Sequence, residues 1–217
     1  MTSAVTSIKR AGRPQNQALI NQRREEILAM ATLVFAEHGF RNTDVQIIAD
    51  ALGIGKGTIY RYFPSKKDLF LGAADRGMRL FLERLETEAD KSTEPLQRME
   101  NVIHAYLAFF DENPGLVELI IQERAEFRDR EKSTYFLYCE SRRDKWHEAF
   151  RNIHRLGLAR ELSPESMFEN ISNLLYGTMF TNFFAGREKP CDEQARDIID
   201  IFFNGILKDR RETRPRG

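Results

Sequence analysis

The chain has 217 residues, ample for a buried core, and its balance of 41% hydrophobic and 30% charged residues is ordinary for a globular protein. No apolar run approaches the roughly 18 residues of a membrane span, MTSAVTSIKRAGRP has no secretory pattern, and isolated Cys139 and Cys191 argue against a zinc finger or a disulfide scaffold, so a reducing cytoplasm is the expected compartment. Net charge is zero, yet ten Lys and Arg face five Asp and Glu in residues 1–67, a +5 balanced by −5 on the rest; a basic first third suggests an end that meets a polyanion.

Residues 1–17 are polar and basic without apolar period and read as a mobile arm. From Gln22 the pattern turns helical, with Ile27, Leu28, Ala31, Val34 and Phe35 at three- and four-residue spacing, and Gly39 ends that helix. Thr43 or Asp44 can cap a short second helix holding Ile47, Ile48 and Leu52. Gly53-Ile54-Gly55 forms a turn, a third short helix runs to Tyr62, and Pro64-Ser65 breaks the chain. The expected helices then cover 65–88, 95–110, 116–124, 134–156, 164–185 and 192–208. Helix 65–88 joins both halves, with Gly72 and Gly77 as places where it could bend. The reading is all-α: about nine helices, no convincing strand alternation and no internal repeat.

LGIGKGTIYRYFPSK, residues 52–66, carries the chemistry. A phosphate-binding loop requires G-x-x-x-x-G-K-[ST], but here lysine precedes the last glycine, and the segment before it is helical rather than a strand. A helix-turn-helix accounts for each residue. Ala49 is small where two helices approach, Gly53 suits a positive-φ turn, and Ile48, Leu52, Ile59 and Tyr62 form the inner face. That leaves Lys56, Gly57, Thr58, Tyr60 and Arg61 outward at the start of the second helix, where this motif meets base edges and phosphates. Lys66, opening the next helix, adds a charge at a phosphate-binding helix start.

Residues 22–71, and TDVQIIADALGIGKGTIYRYFPSKKDLF in particular, resemble the TetR family of bacterial transcriptional regulators. The resemblance implies a cytoplasmic homodimeric repressor that binds a palindromic operator through an N-terminal three-helix domain and is released by a small-molecule inducer. It assigns DNA contacts to Gln46, Lys56, Gly57, Thr58, Tyr60, Arg61 and Lys66; Thr43 is a further candidate, and so are Arg10 and Arg13 on an arm that either reaches the adjacent minor groove or is a solvated tail. It also implies dimerisation through the last two long helices, where Phe168, Ile171, Leu175, Met179, Ile198 and Phe202 are the expected interface. The expected organisation is a basic arm (1–17), a helix-turn-helix domain (18–67), a ligand-binding and dimerisation domain (68–210) and a basic tail (211–217).

Aromatics crowd the second half, more than a small bundle needs, and an apolar cavity with a few polar groups suits a small molecule. Phe109, Phe127, Tyr138, Trp146, Tyr176 and Phe180 are the candidate lining, for an apolar or aromatic inducer. Glu100 and His104, or His147 and His154, lack a third ligand, so no metal is expected, and neither is a cofactor or a membrane partner. No nucleophile elbow, paired-carboxylate motif or metal triad suggests an enzyme. The alternatives are an activator or ligand-independent regulator of the same fold and, more remotely, a helical enzyme or lipid-binding protein.

Overall fold

The computed structural model describes residues 17–159 and 162–206. Their regular elements are ten helices: α1 (Gln17–His38), α2 (Val45–Ala51), α3 (Lys56–Tyr62), α4 (Lys66–Ala89), α5 (Pro95–Glu112), α6 (Pro114–Glu126), α7 (Thr134–Ser141), α8 (Arg143–Arg155), α9 (Pro164–Ala185) and α10 (Cys191–Ile206). The all-helical reading stands. The tenth helix arises because the expected 134–156 segment divides at Arg142, which leaves the helical region and serves as both the cap of α7 and the start of α8. The Ser141 hydroxyl donates to the Tyr138 carbonyl (2.7 Å), competing locally with the helix ladder. The break turns the chain: α7 packs on α4, whereas α8 packs on α5 and α9.

Two apolar cores form. In the first, α1 supplies Ile27, Leu28, Ala31, Val34 and Phe35, the five positions its periodicity marks, and α2 and α3 add Ile48, Ala49 and Ile59. The caps follow the chain chemistry. Asp44 caps α2 by accepting from the Gln46 amide (2.8 Å), and Ser65 caps α4 by accepting from the Asp68 amide (3.1 Å). Gly53 takes φ +64° at the turn between α2 and α3, a conformation that costs a side-chain-bearing residue. The second core is built around α5, with Ile103, Tyr106 and Phe110 meeting Phe81, Phe150, Leu175 and Phe202.

Helix α4 serves both cores: Leu69, Phe70, Ala73 and Ala74 face the first, and Met78, Phe81, Leu82 and Leu85 the second. It runs unbroken, so its glycines have another reason than bending. A Cβ at Gly77 would lie 2.4 Å from Leu116 Cδ1 of α6, and one at Gly72 would lie 3.1 Å from both Leu28 and Phe63. These are points of close approach, where α4 presses against its neighbours.

Helix α6 also crosses the boundary. Its Leu119 and the following Phe127 join the first core, while Leu116, Val117 and Ile120 join the second. Phe127 stacks edge-on against Phe40 and Phe70, centroids 4.9 and 5.5 Å away.

Candidate nucleic-acid interface and ligand cavities

The helix-turn-helix segment divides as its residues dictate. Ile48, Ala49 and Ile59 are fully buried, and the Ala49 carbonyl accepts from the Ile54 amide (3.0 Å), which tightens the turn. Outward lie Gln46, Gly57, Tyr60 and Arg61, with Lys56 and Thr58 partly exposed. Tyr60 is 40% exposed, and its hydroxyl makes no hydrogen bond among the described residues. A Cβ at Gly57 would meet nothing within 4 Å, and its φ is not positive, so the fold itself does not require glycine there.

Several of these polar groups are held by the protein's own chain. Lys56 Nζ donates to Asp44 Oδ1 (2.5 Å), and the Gln46 side chain donates to Asp50 (2.6 Å). The Gln46 amide, and then the Lys56 ammonium, hold the Asp44 carboxyl below the usual carboxylate range, so it stays ionised at neutral pH. Lys66 Nζ donates to the carbonyls of Arg41 (3.1 Å) and Thr43 (3.0 Å) and lies 4.8 Å from the Phe40 ring centre. Thr43 is a correction: it is 2% exposed, and its hydroxyl donates to the Gly39 carbonyl (2.7 Å), which leaves it bracing the approach to α2 rather than presenting a contact. Arg10 and Arg13 lie outside the described residues.

The six expected ligand residues do not share one cavity. Phe127, Tyr176 and Phe180 line an open cavity of about 780 Å³ bounded by the end of α6, the 127–133 segment, the start of α7 and α9. Trp146 lines a separate cavity of about 590 Å³ between the end of α4, the start of α5 and α8. Phe109 is buried in the second core beside Phe81 and Phe110. Tyr138 instead donates its hydroxyl to Asp75 (2.8 Å); burial, with Asp75 behind it, pushes this phenol up to about 12. Aromatics at helical spacing went first to the core, the stronger demand on apolar area.

The expected dimer residues need a similar correction. Ile171, Leu175, Met179, Ile198 and Phe202 are 1–6% exposed within the single chain, and Phe168 packs on Trp146 and His147. Their side chains fill the protomer's own core, since α9 packs on α5 and α8 and α10 packs on α5. The outward apolar positions on these helices are Leu174 (38% exposed), Phe184 (69%) and Ile201 (68%).

Residues of α6 that sequence reasoning passed over tie the two halves together. Gln122 reaches the end of α1, donating to the Phe35 carbonyl and accepting from the Phe40 amide, each at 2.9 Å. Arg41 Nε meets both oxygens of Glu126 (2.9 and 2.8 Å). Gln122 and Glu126 are four apart on one helix face, a spacing visible in sequence, but their partners lie 82 to 87 residues away. Buried Glu123 accepts from the Thr134 amide (2.9 Å) and hydroxyl (3.0 Å) and pairs with Arg130 (2.7 Å), fastening the 127–133 segment. Among the described residues no cluster of three or more His, Cys, Asp or Glu forms a metal-binding group, and burial pushes the Cys139 thiol up to about 11. No helix among them is long and apolar enough to cross a membrane.

Residues 27–73 match the model for bacterial regulatory proteins of the tetR family. Over 198 residues the chain is 28% identical to the HTH-type transcriptional repressor KstR2 of Mycobacterium tuberculosis, covering 88% of this chain and 96% of that protein. YhgD of Bacillus subtilis, an uncharacterised HTH-type transcriptional regulator, is 36% identical over 107 residues, 48% of this chain and 54% of its own length. Among solved structures, a transcriptional regulator from Saccharomonospora viridis in complex with choline superposes with a TM-score of 0.76 at 21% identity, covering 87% of this chain and all of that one. The KstR2 structure does so at 0.64 and 22%, covering 93% and 100%. The helix-turn-helix thus lies in a domain of the tetR family of bacterial regulatory proteins, and the chain as a whole shares the fold of the regulators named above.

Proposed function

We propose that the chain is a ligand-responsive repressor that binds a palindromic operator as a homodimer in the cytoplasm and performs no covalent chemistry. The observation that carries this reading is the outer face of α3. Lys56, Gly57, Tyr60 and Arg61 project there from a helix whose inner face is locked by Ile59, and Gly57 has no packing reason of its own. Absence of a side chain at an exposed helix start leaves the backbone open to close approach from outside, as a major-groove contact requires. Lys56 would exchange Asp44 for a phosphate or base, and Lys66 keeps donor capacity beyond its two carbonyls.

Ligand control follows from linkage. Two reading heads about 34–36 Å apart enter successive major grooves, and a ligand that prefers another spacing lowers operator affinity by the same factor that operator lowers its own. The end of α6 is suited to this work, because it borders the 780 Å³ cavity and holds α1 through Gln122 and residue 41 through Glu126. For the dimer, the face of α9 and α10 that carries Leu174, Thr178, Thr181 and Ile201 replaces the buried residues named above.

The test is a titration of the DNA flanking the chain's own gene at fixed moderate salt. Tyr60→Ala and Lys56→Ala should each weaken binding about 5- to 150-fold, the span of a lost specific contact, with circular dichroism unchanged. Wild-type affinity in both variants would rule out α3 as the reading helix.

A further inference from the structure

We propose that the 780 Å³ cavity beside the end of α6 takes an amphiphilic monocarboxylate, its acid group on Arg124 and Arg128 and its apolar body along α9. The regulatory meaning of such a ligand rests on the ligand-responsive reading above; its binding does not.

The charges of the cavity support an acid. Its lining includes four basic residues, on a half of the chain that is acidic overall. Two are already neutralised within the chain: Arg130 by buried Glu123 (2.7 Å) and Lys132 by Glu140 (2.6 Å). Arg124 and Arg128, four residues apart across the end of α6, have no ion-pair partner among the described residues. Glu131 is the one lining acid left without an ion pair, so the uncommitted side chains sum to a positive site. A guanidinium with no carboxylate of its own is the best-shaped side chain for a ligand's carboxylate, which it can hold through two parallel hydrogen bonds. Ser133 lies on the same wall as the N-cap of α7, yet its side chain caps no amide, and a helix start favours an anion.

The rest of the wall is apolar. Ile120 and Ile121 from α6, Phe136 from α7, and Tyr176, Phe180 and Phe184 from α9 form a surface against which a chain of methylenes or fused rings can lie. Phe136 is 49% and Phe184 69% exposed, areas that a bound apolar body would cover. The volume is within the range of small-molecule sites. An alkylammonium is the rival occupant, since aromatic faces attract cations, but the free guanidinium pair repels it.

Isothermal titration of the full-length protein with decanoate and dodecanoate, below their micellar concentrations, tests the assignment. We expect one equivalent bound per protomer and about 4-fold tighter binding for each added methylene. Dodecanol and dodecyltrimethylammonium should bind at least about 10-fold more weakly, and the paired change Arg124→Gln with Arg128→Gln should weaken dodecanoate about 10-fold or more. Trp146→Phe, in the other cavity, should leave dodecanoate affinity unchanged. The proposal is overturned if dodecanoate fails to bind, if the alcohol or the cation binds equally well, if the double variant binds as wild type, or if Trp146→Phe removes binding. Operator binding is measured separately. Dodecanoate that binds as described without changing operator affinity upholds the site and removes ligand control. Operator binding without dodecanoate binding overturns the site and leaves the DNA-binding reading standing.

Discussion

The two cores contain similar side chains, but the first is closed and the second is open to what lies outside it. In residues 27–63 the core side chains are almost wholly buried, with Leu33 and Ile47 left outside, and the outer face of α3 is polar. In residues 95–206 the same kinds of aromatic divide between core and cavity wall, as Phe109 and Phe180 do, and Phe184 on that wall is 69% exposed. A recognition head works by presenting a fixed shape, so close packing suits it. On the function proposed above, the second half admits a ligand and a second subunit, and apolar area left uncovered in the single chain suits that role; its cavity walls form wherever distant helices diverge. The joint between these styles is narrow: α4, with glycine at its closest crossing, and the end of α6.

The most severe way to break the contrast is at Phe127, which packs in the first core and lines the cavity of the second half. Phe127→Ala should cost about 3–5 kcal/mol, lowering the melting temperature by roughly 6–20 °C for a chain of this size. Trp146 is the sole tryptophan and lies in the second half, so its fluorescence can be compared with far-ultraviolet circular dichroism of the whole chain. Coincident transitions in the wild type that separate in the variant would identify this ring as the link between the cores. A melting change of only a degree or two would mean that the halves do not depend on it.

A second prediction separates the inward from the outward faces of α9 and α10. Leu174→Glu with Ile201→Glu should shift the sedimenting species from dimer to monomer while helicity persists, because both side chains are exposed in the protomer. Leu175→Glu should instead lower helicity and cause aggregation, since it places a charge in a site 4% exposed. A folded dimer in the outward double variant would move the interface elsewhere.

The same division explains what could be read in advance. Head residues are specified by neighbours in sequence: a cap two residues from its amide at Asp44, a turn glycine at Gly53, and a three-four apolar rhythm in α1. The outward positions of α3 follow from the inward one, Ile59. The roles of Phe109 and Leu175 could not be read this way, because helical spacing marks a buried side but not which partner covers it. Thr43 misled for a related reason: a hydroxyl beside a helix start can face solvent or bond back four residues, and here it bonds Gly39. Gln122 and Glu126 carry a spacing but no hint of the end of α1, which a packed chain brings to them from more than 80 residues away.

The smallest predicted effect is also the most specific to the joint. Arg41 is 78% exposed and bonded to both oxygens of Glu126, which raises the pKa of its guanidinium further above the ordinary value. An exposed pair of this kind contributes little to stability, so Arg41→Ala should leave the melting temperature nearly unchanged. Its consequence lies in communication. The pair connects the segment leading into α2 with the end of α6, beside the cavity, so its loss lets one move with less effect on the other. The measure is the ratio of operator affinities without and with saturating dodecanoate. That ratio should fall about 2- to 5-fold in Arg41→Ala, within the range found for residues that touch neither ligand. Gln122→Ala should lower it further, because two hydrogen bonds to α1 and Phe40 are lost together. Since coupling free energy is reciprocal, the change in dodecanoate affinity caused by operator must shrink by the same factor. An unchanged ratio in both variants would place the coupling along α4 and its contact at Gly77, leaving α6 as scaffold.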